Sequence, residues 1–475
     1  MSNTRLLKNT ILYSIGEILP RAIAFILLPI YTQYLSPSDY GINSYTHTII
    51  IFLYVLGAFA FNSYVLRYYF IHTDENERRV LIGTAHLTII GLNAIILALA
   101  FLLMPYIIEH NHIQVPWNPY FRLAFIINFL DCMSIIPMVV YRVRQEALKF
   151  VTLGISRTIL TVLLTLYFVV YLKKGLIGTF QAQLYVLIPY SVVYFWVIQN
   201  YGRWRINWSY VKEGLLFCAP LIPGAICYQM LSVSDRVILE RNVGLDQLGI
   251  YNVACQMALA LNIVIQSGYR AIEPELFRRY GKEGFFEFIK KTQSIFFSAI
   301  YIGAFALCLF SQEIFHIMTS EAFHKGYWLV PALMVGVIMT GQNVIYSGIL
   351  QGEKRTKVIG LATLIGAIAS VLTNVIFVPL YGVYAASFAS ALSLLIMNSI
   401  LFYAMTYPGK SMHKELGLVL LVPLVCYLLF SILGDISVVG AIIKLFILMI
   451  YFVITIYVMK VDFQHLKDNF LKKSK

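Results

Sequence analysis

The sequence predicts an all-α, polytopic membrane protein of about fourteen transmembrane helices, built as two parallel six-helix lobes plus two C-terminal helices. Three observations predict this. Of the 475 residues, 59% are hydrophobic and only 12% are charged, more apolar surface than a water-soluble chain of that length could hide. The apolar residues gather into runs long enough to cross a hydrocarbon core of roughly 30 Å. Lys and Arg collect in alternate connections between those runs.

The runs occupy 10–34, 41–70, 80–106, 118–141, 150–172 and 176–198, then 213–239, 247–270, 290–312, 327–350, 356–378 and 383–406, with a last pair at 414–434 and 437–460. The expected organisation is an N-terminal lobe over 1–205, a second lobe over 206–407, and two extra helices with a basic tail over 408–475. The first run is too long for a removable signal peptide and lacks a small-residue cleavage site, so it is expected to stay as a span. Arg5, Lys8, Arg78, Arg79, Arg142, Arg144, Arg203, Arg205, Arg278, Arg279, Lys354, Arg355 and the Lys-rich tail fall on one side. The other side carries only Lys173, Lys174, Arg241 and Lys325 in its connections. Both termini are therefore expected in the cytoplasm. The net charge of +13 follows from this topology and does not point to nucleic acid. The connections 199–212 and 270–291 mix basic and aromatic residues. With the tail, they are expected to lie in the interface against anionic membrane lipids.

The two halves read as a repeat. Tyr40-Gly41-Ile42 and Leu248-Gly249-Ile250 open the second and eighth spans at an offset of 208, which also places Gly16 on Gly224. An offset of 207 places Glu146 on Glu353, Gly175 on Gly382 and Ala182 on Ala389. Six spans per unit is an even number, so the units run parallel about an axis along the membrane normal, with substrate expected between them near the midplane.

Soluble-enzyme chemistry is not indicated. There is no phosphate-binding G-x-x-x-x-G-K-[ST] loop, no H-E-x-x-H and no G-x-S-x-G elbow. The six cysteines all lie inside apolar runs without a C-x-x-C pair, which suggests small core residues rather than a metal site or disulfide framework.

The informative residues are polar ones inside spans, where a charge costs at least about 2.5–3.5 kcal/mol and so should face protein or water. Glu17 and Arg21 sit four apart on one face of the first span, with Arg21 roughly 16 Å past Thr10 and so near mid-membrane. Gln229, Ser232 and Arg236, beside Asp235, share a face of the seventh span. Asn252, Gln256, Gln266 and Arg270 form a stripe on the eighth. Asn43, His47 and Tyr54 mark the second span, with Ser63 and Arg67 beyond them. Asp131, Arg157 and Lys444 lie mid-span in the fourth, fifth and fourteenth. Each has an alternative reading. Glu17–Arg21 could be a structural ion pair, Arg67 and Arg270 could snorkel to lipid phosphate, Asp235–Arg236 could anchor a helix, and Asp131 could be a hydrogen-bonded structural carboxyl. Arginine outnumbers acid along these spans, so a cavity that they line would be electropositive and would suit a large anion such as a pyrophosphate.

The segment Leu6–Ile42, which ends in Leu-Pro-Ile-Tyr-Thr-Gln-Tyr-Leu-Ser-Pro-Ser-Asp-Tyr-Gly-Ile, resembles the start of the Wzx-type polysaccharide (O-antigen) flippases of the multidrug/oligosaccharidyl-lipid/polysaccharide exporter superfamily. The segments Ser234-Asp235-Arg236-Val237-Ile238-Leu239, Leu248-Gly249-Ile250-Tyr251-Asn252-Val253-Ala254 and Gln351-Gly352-Glu353-Lys354-Arg355-Thr356-Lys357 are similar to that family's patterns. The resemblance implies a bacterial inner-membrane flippase, not an enzyme and without a cofactor, that takes undecaprenyl-pyrophosphate-linked oligosaccharide from the cytoplasmic to the periplasmic leaflet by alternating access. It implies a pyrophosphate and sugar site drawn from Arg21, Arg67, Arg236, Arg270, Gln229, Gln256, Gln266 and Asn252, and proton or sodium coupling at Glu17, Asp131 or Asp235. It also implies a lipid-tail shelter at the last two spans with Lys444. A polysaccharide polymerase and a chain-length regulator are further partners that such a flippase could have. Competing readings are an ion-coupled drug or cation exporter of the same superfamily and an O-unit polymerase.

Overall fold

Ser36 starts the first long helix of the computed structural model, which describes residues 16, 19–20, 22–23, 25–406, 412–434 and 436–460, with backbone alone for 412–415. The Ser36 hydroxyl accepts the Asp39 amide at 3.2 Å, and the Asp39 carboxylate accepts the Ser36 amide at 3.0 Å. This reciprocal cap satisfies two donors at the helix start, and Pro37 occupies the position where a missing N–H costs nothing. The helices are α1 (Leu28–Tyr34), α2 (Pro37–Ala58), α3 (Phe61–Ile71), α4 (Glu75–His110), α5 (Arg122–Cys132), α6 (Ile135–Val143), α7 (Ala147–Leu166), α8 (Gly175–Tyr201), α9 (Trp208–Cys218), α10 (Ile222–Val243), α11 (Leu245–Arg279), α12 (Phe285–Leu309), α13 (Ser311–Met318), α14 (Val330–Gly352), α15 (Thr356–Ala404), α16 (Met412–Leu433) and α17 (Val438–Met459).

The protein is an all-α, polytopic membrane protein, with no strand among the described residues. Among the described residues, eleven helical stretches are long and apolar enough to cross a membrane. Two of them, Trp208–Arg279 and Thr356–Ala404, are interrupted by Gly244 (φ 83°) and Gly382 (φ 59°), where the sequence divides two spans. Positive φ is cheap only for glycine, so these residues let the chain leave one helix and begin the next. Within the first expected span, 10–34, residues 10–15, 17–18, 21 and 24 lie outside the described residues, Glu17 and Arg21 among them.

By Cα packing the chain divides into two compact units, residues 1–250 and 251–475. In the first unit the expected second span is two pieces, because Phe59 and Ala60 both take left-handed φ (44° and 53°) between α2 and α3. Helix α4, 36 residues and about 54 Å long, extends beyond the hydrocarbon thickness. Its Asn93 is buried and donates to the Gly57 carbonyl of α2 at 3.0 Å, a polar tie between spans where water is absent. The connector 202–207 is strapped to the start of α4. The Arg203 amide donates to the Arg79 carbonyl at 2.9 Å, and the Thr84 hydroxyl donates to the Arg205 carbonyl at 2.9 Å and accepts the Asn207 amide at 3.1 Å. A methyl at Gly83 would collide with the Arg203 carbonyl, so the strap needs glycine there.

In the second unit α14 is the most buried of the candidate spans. Polar side chains bind it to its neighbours: Asn398 of α15 donates to the Met339 carbonyl at 2.8 Å, Asn343 donates to Asn398 at 2.9 Å, and Gln342 donates to the Tyr301 hydroxyl of α12 at 2.8 Å. The expected interfacial helix over 270–291 is not a separate element. Helix α11 runs on to Arg279 and α12 begins at Phe285. The i,i+3 and i,i+4 pairing of Glu275 with Arg278 and Arg279 favours that continuation.

Candidate substrate cavity

Asp131 and Arg157 are 26 positions apart in the sequence and meet in the fold. Helix α5 carries Asp131 near its C-terminal end, and α7 carries Arg157 at mid-length. The Arg157 Nη2 lies 2.6 Å from Asp131 Oδ1 as an ion pair, each side chain keeping about a third of its surface open (30% and 35%). Tyr194 of α8 lines the same cavity as this guanidinium. This cluster borders a cavity of about 400 Å³ inside the first unit, lined by Arg157, Gln183, Tyr31, Thr158, Ser134 and Tyr194 among others. Tyr190 donates to the Ser156 hydroxyl at 2.6 Å and helps hold α8 against α7. The cavity thus offers a guanidinium with several donors, an amide and hydroxyls, and the guanidinium is paired with the Asp131 carboxylate, which is not itself part of the lining.

The sequence places Asp131 as an ion-coupling candidate and notes Arg157 in the next span. The pairing itself needed the fold, because hydropathy reports depth and not which helices are adjacent. The available signal was two opposite charges at similar depth in consecutive spans.

The other candidates fall in four places. On α10, the Asp235 carboxylate accepts the Arg236 amide at 2.9 Å, and Arg236 Nη1 lies 3.4 Å from the same oxygen and donates to the Ser232 carbonyl at 3.0 Å. His47 of α2 is within electrostatic reach of Arg236, and Gln229 lies two turns earlier on α10, partly buried. Arg67, in the middle of α3, is exposed and packs over the Phe217 ring of α9 at 5.4 Å. In the second unit, α11 carries buried Asn252, partly buried Gln256 and Gln266, and exposed Arg270, with Gln266 donating to Asn262 at 3.3 Å. Lys444 of α17 is 2% exposed and donates to Glu313 of α13 at 2.6 Å, over the Phe430 ring of α16. Glu313 was not singled out from sequence, since it lies at the edge of an apolar run, 131 positions from its partner. A separate groove of about 570 Å³ in the second unit is almost wholly apolar, lined by α14, α15 and α16 with Phe377, Phe388 and Leu420. Among the described residues no group of three or more His, Cys, Asp or Glu side chains could hold a metal ion.

Known proteins share this architecture. The profile of the family described as polysaccharide biosynthesis protein matches residues 6–278. The chain belongs to this family. A Haemophilus influenzae protein of the Lsg locus is 22% identical over 279 residues, 57% of this chain. The match spans 65% of that relative, just under two-thirds of its length. A structure of the lipid II flippase MurJ in an inward closed conformation aligns with a TM-score of 0.73 at 15% identity, over 94% of this chain and 98% of that one. An inward-facing multidrug resistance transporter of the MATE family in the MOP superfamily aligns with a TM-score of 0.67 at 12% identity, over 81% of this chain and 96% of that one. At these identities the structural likeness concerns the fold, which is that of flippases and transporters.

Proposed function

We propose that this protein is a flippase that carries an undecaprenyl-pyrophosphate-linked oligosaccharide, such as an O-antigen repeat unit, from the cytoplasmic to the periplasmic leaflet of a bacterial inner membrane. It works by alternating access, with both termini in the cytoplasm. The carrying observation is the Arg157 guanidinium facing a membrane-embedded cavity in a chain of the polysaccharide biosynthesis family. In a site of lowered dielectric, a planar donor fork suits a pyrophosphate better than it suits a cation. An arriving phosphate would compete with Asp131 for the guanidinium, and the freed carboxylate is then a place for the coupling proton or sodium. Arg21, Arg236 and Arg270 are further candidates for the phosphates, Gln229, Gln256, Gln266 and Asn252 for the sugars, and Lys444 with the last two spans for the lipid tail. The Lys-rich tail meets anionic lipid, and a polymerase with its chain-length regulator would receive the product.

The test is the leaflet distribution of the lipid-linked unit in cells with and without the protein. Deletion should leave units on the cytoplasmic leaflet, and Arg157→Ala or Arg21→Ala at normal expression should do the same. Units flipped but unpolymerised would favour the polymerase instead. The Asp131 carboxylate paired with Arg157 supports a second reading, an ion-coupled exporter of cationic drugs. In that case deletion would raise dye susceptibility and leave the sugar lipid distribution unchanged.

A further inference from the structure

The repeat found in the sequence predicts an equivalence that the first unit converts into a contact. At the offset of 208, Pro37 corresponds to Leu245 and Gly41 to Gly249. In the fold these four residues pack reciprocally at the starts of α2 and α11. A Cβ built on Gly41 would overlap the Leu245 carbonyl oxygen and lie 2.7 Å from its carbon, and one built on Gly249 would overlap the Pro37 carbonyl oxygen and lie 2.7 Å from its carbon. The same Gly249 Cβ would lie 3.0 Å from the Gly41 amide nitrogen. Each glycine therefore receives the first carbonyl of the other helix, as a two-fold relation between equivalent turns requires. Backbones approach this closely only where there is no side chain.

A second tie lies beside it. Glu240, in the last turn of α10, is 3% exposed. Its carboxylate accepts the Gln114 amide at 2.6 Å, and its backbone carbonyl accepts the Gln114 side-chain amide at 3.1 Å. Gln114 belongs to the connection between α4 and Trp117, so the end of α10 is held from a different loop than the one that precedes α2. The Gln114 side chain also reaches the turn at Gly244 that starts α11.

We propose that the Gly41–Gly249 crossing is the seal on the outer side of the transport path and that the Glu240–Gln114 tie is the latch holding it shut. The outer assignment rests on the orientation given under Proposed function. In this proposal the backbone contact parts and re-forms in each cycle, and the latch sets how often it parts.

The test is labelling of a Ser44→Cys reporter, placed in a variant lacking the six native cysteines, by a membrane-impermeant maleimide added outside the cell. Ser44 lies one turn deeper on the Gly41 face of α2 and is 4% exposed. Gly41→Ala and Gly249→Ala should each prop the seam and speed labelling about tenfold, as expected when a minor open state becomes populated. Gln114→Ala, which crowds nothing, should speed it less. Gly360→Ala, where an added methyl meets no atom within 4 Å, should leave it unchanged. Because the readout needs no substrate, it stands or falls separately from the flippase reading. Unchanged labelling in glycine variants that elute as intact protein would overturn the proposal, as would an equal rise in Gly360→Ala. If the glycine variants do not fold, Gln114→Ala decides: no rise overturns it.

Discussion

Glu146 and Glu353, equivalent in the sequence repeat, do the same job at the starts of their spans with different chemistry. Glu146 precedes α7 and is gripped by side chains. Lys149 Nζ lies at 2.7 Å, the Tyr201 hydroxyl donates at 2.8 Å from the end of α8, and Arg144 lies at 3.8 Å. Arg144 in turn donates to Glu75 at 2.8 Å and stacks over the Tyr201 ring at 4.9 Å. Glu353 precedes α15 and accepts the Thr406 backbone amide at 3.1 Å, just beyond the end of that helix, with Arg355 at 3.8 Å. Arg355 donates to the Ala404 carbonyl. In both repeats a glutamate ties the start of one span to the end of the following one. The first uses a charged network and the second uses mainly backbone, so equivalent positions can keep a mechanical role while their electrostatics diverge.

The largest expected effect is that of Glu146→Ala. It strips three partners at once and should lower stability by about 2–3 kcal/mol, since hydrogen bonds to charged groups are the strong ones. Thermal melting of the detergent-solubilised protein measures this. Glu353→Ala should cost clearly less, and equal losses would break the comparison. Next comes pH. Burial alone would raise the Glu146 pKa, but the hydrogen bonds from Lys149 and Tyr201 and the nearby charges outweigh it and hold it below the ordinary carboxylate value. Its stabilisation is therefore present above the unfolded value of about 4.3 and is lost as pH falls through the lower folded one. Melting scans from neutral to acid pH should fall more steeply for the parent than for Glu146→Gln. Tyr201→Phe removes one hydroxyl from the network and should cost about 1 kcal/mol. The smallest change is expected for Glu353→Gln, which keeps an oxygen for the Thr406 amide and should stay within about 0.5 kcal/mol of the parent. A larger loss there would mean that charge matters as much in the second repeat as in the first.

Much of the fold was legible before the structure because it depends on local pattern. Hydropathy placed the spans, and the breaks fall at Gly244 and Gly382, where the sequence divides two runs. Gly175 and Gly382, paired by the repeat, both adopt positive φ (60° and 59°). The candidate site was less legible. Asp131, Asp235, Arg236 and Lys444 were visible as charges too costly to leave in lipid, whereas Arg157 as a cavity residue, Glu313 as the partner of Lys444 and Glu240 as an anchor for Gln114 were not assigned.

The sequence by itself determined the membrane class and the placement of the apolar helices, since these follow from the hydrophobicity of single segments and from spacing along the chain. Only the tertiary structure decided which charges meet, that the connector at 202–207 is bound to α4, and that Gly41 and Gly249 touch. Those outcomes depend on which helices become neighbours, and neighbours are chosen by packing among all spans at once. A helix-long hydrophobic pattern says that a segment will enter the membrane; the shape of the side chains beside it says what it will meet there.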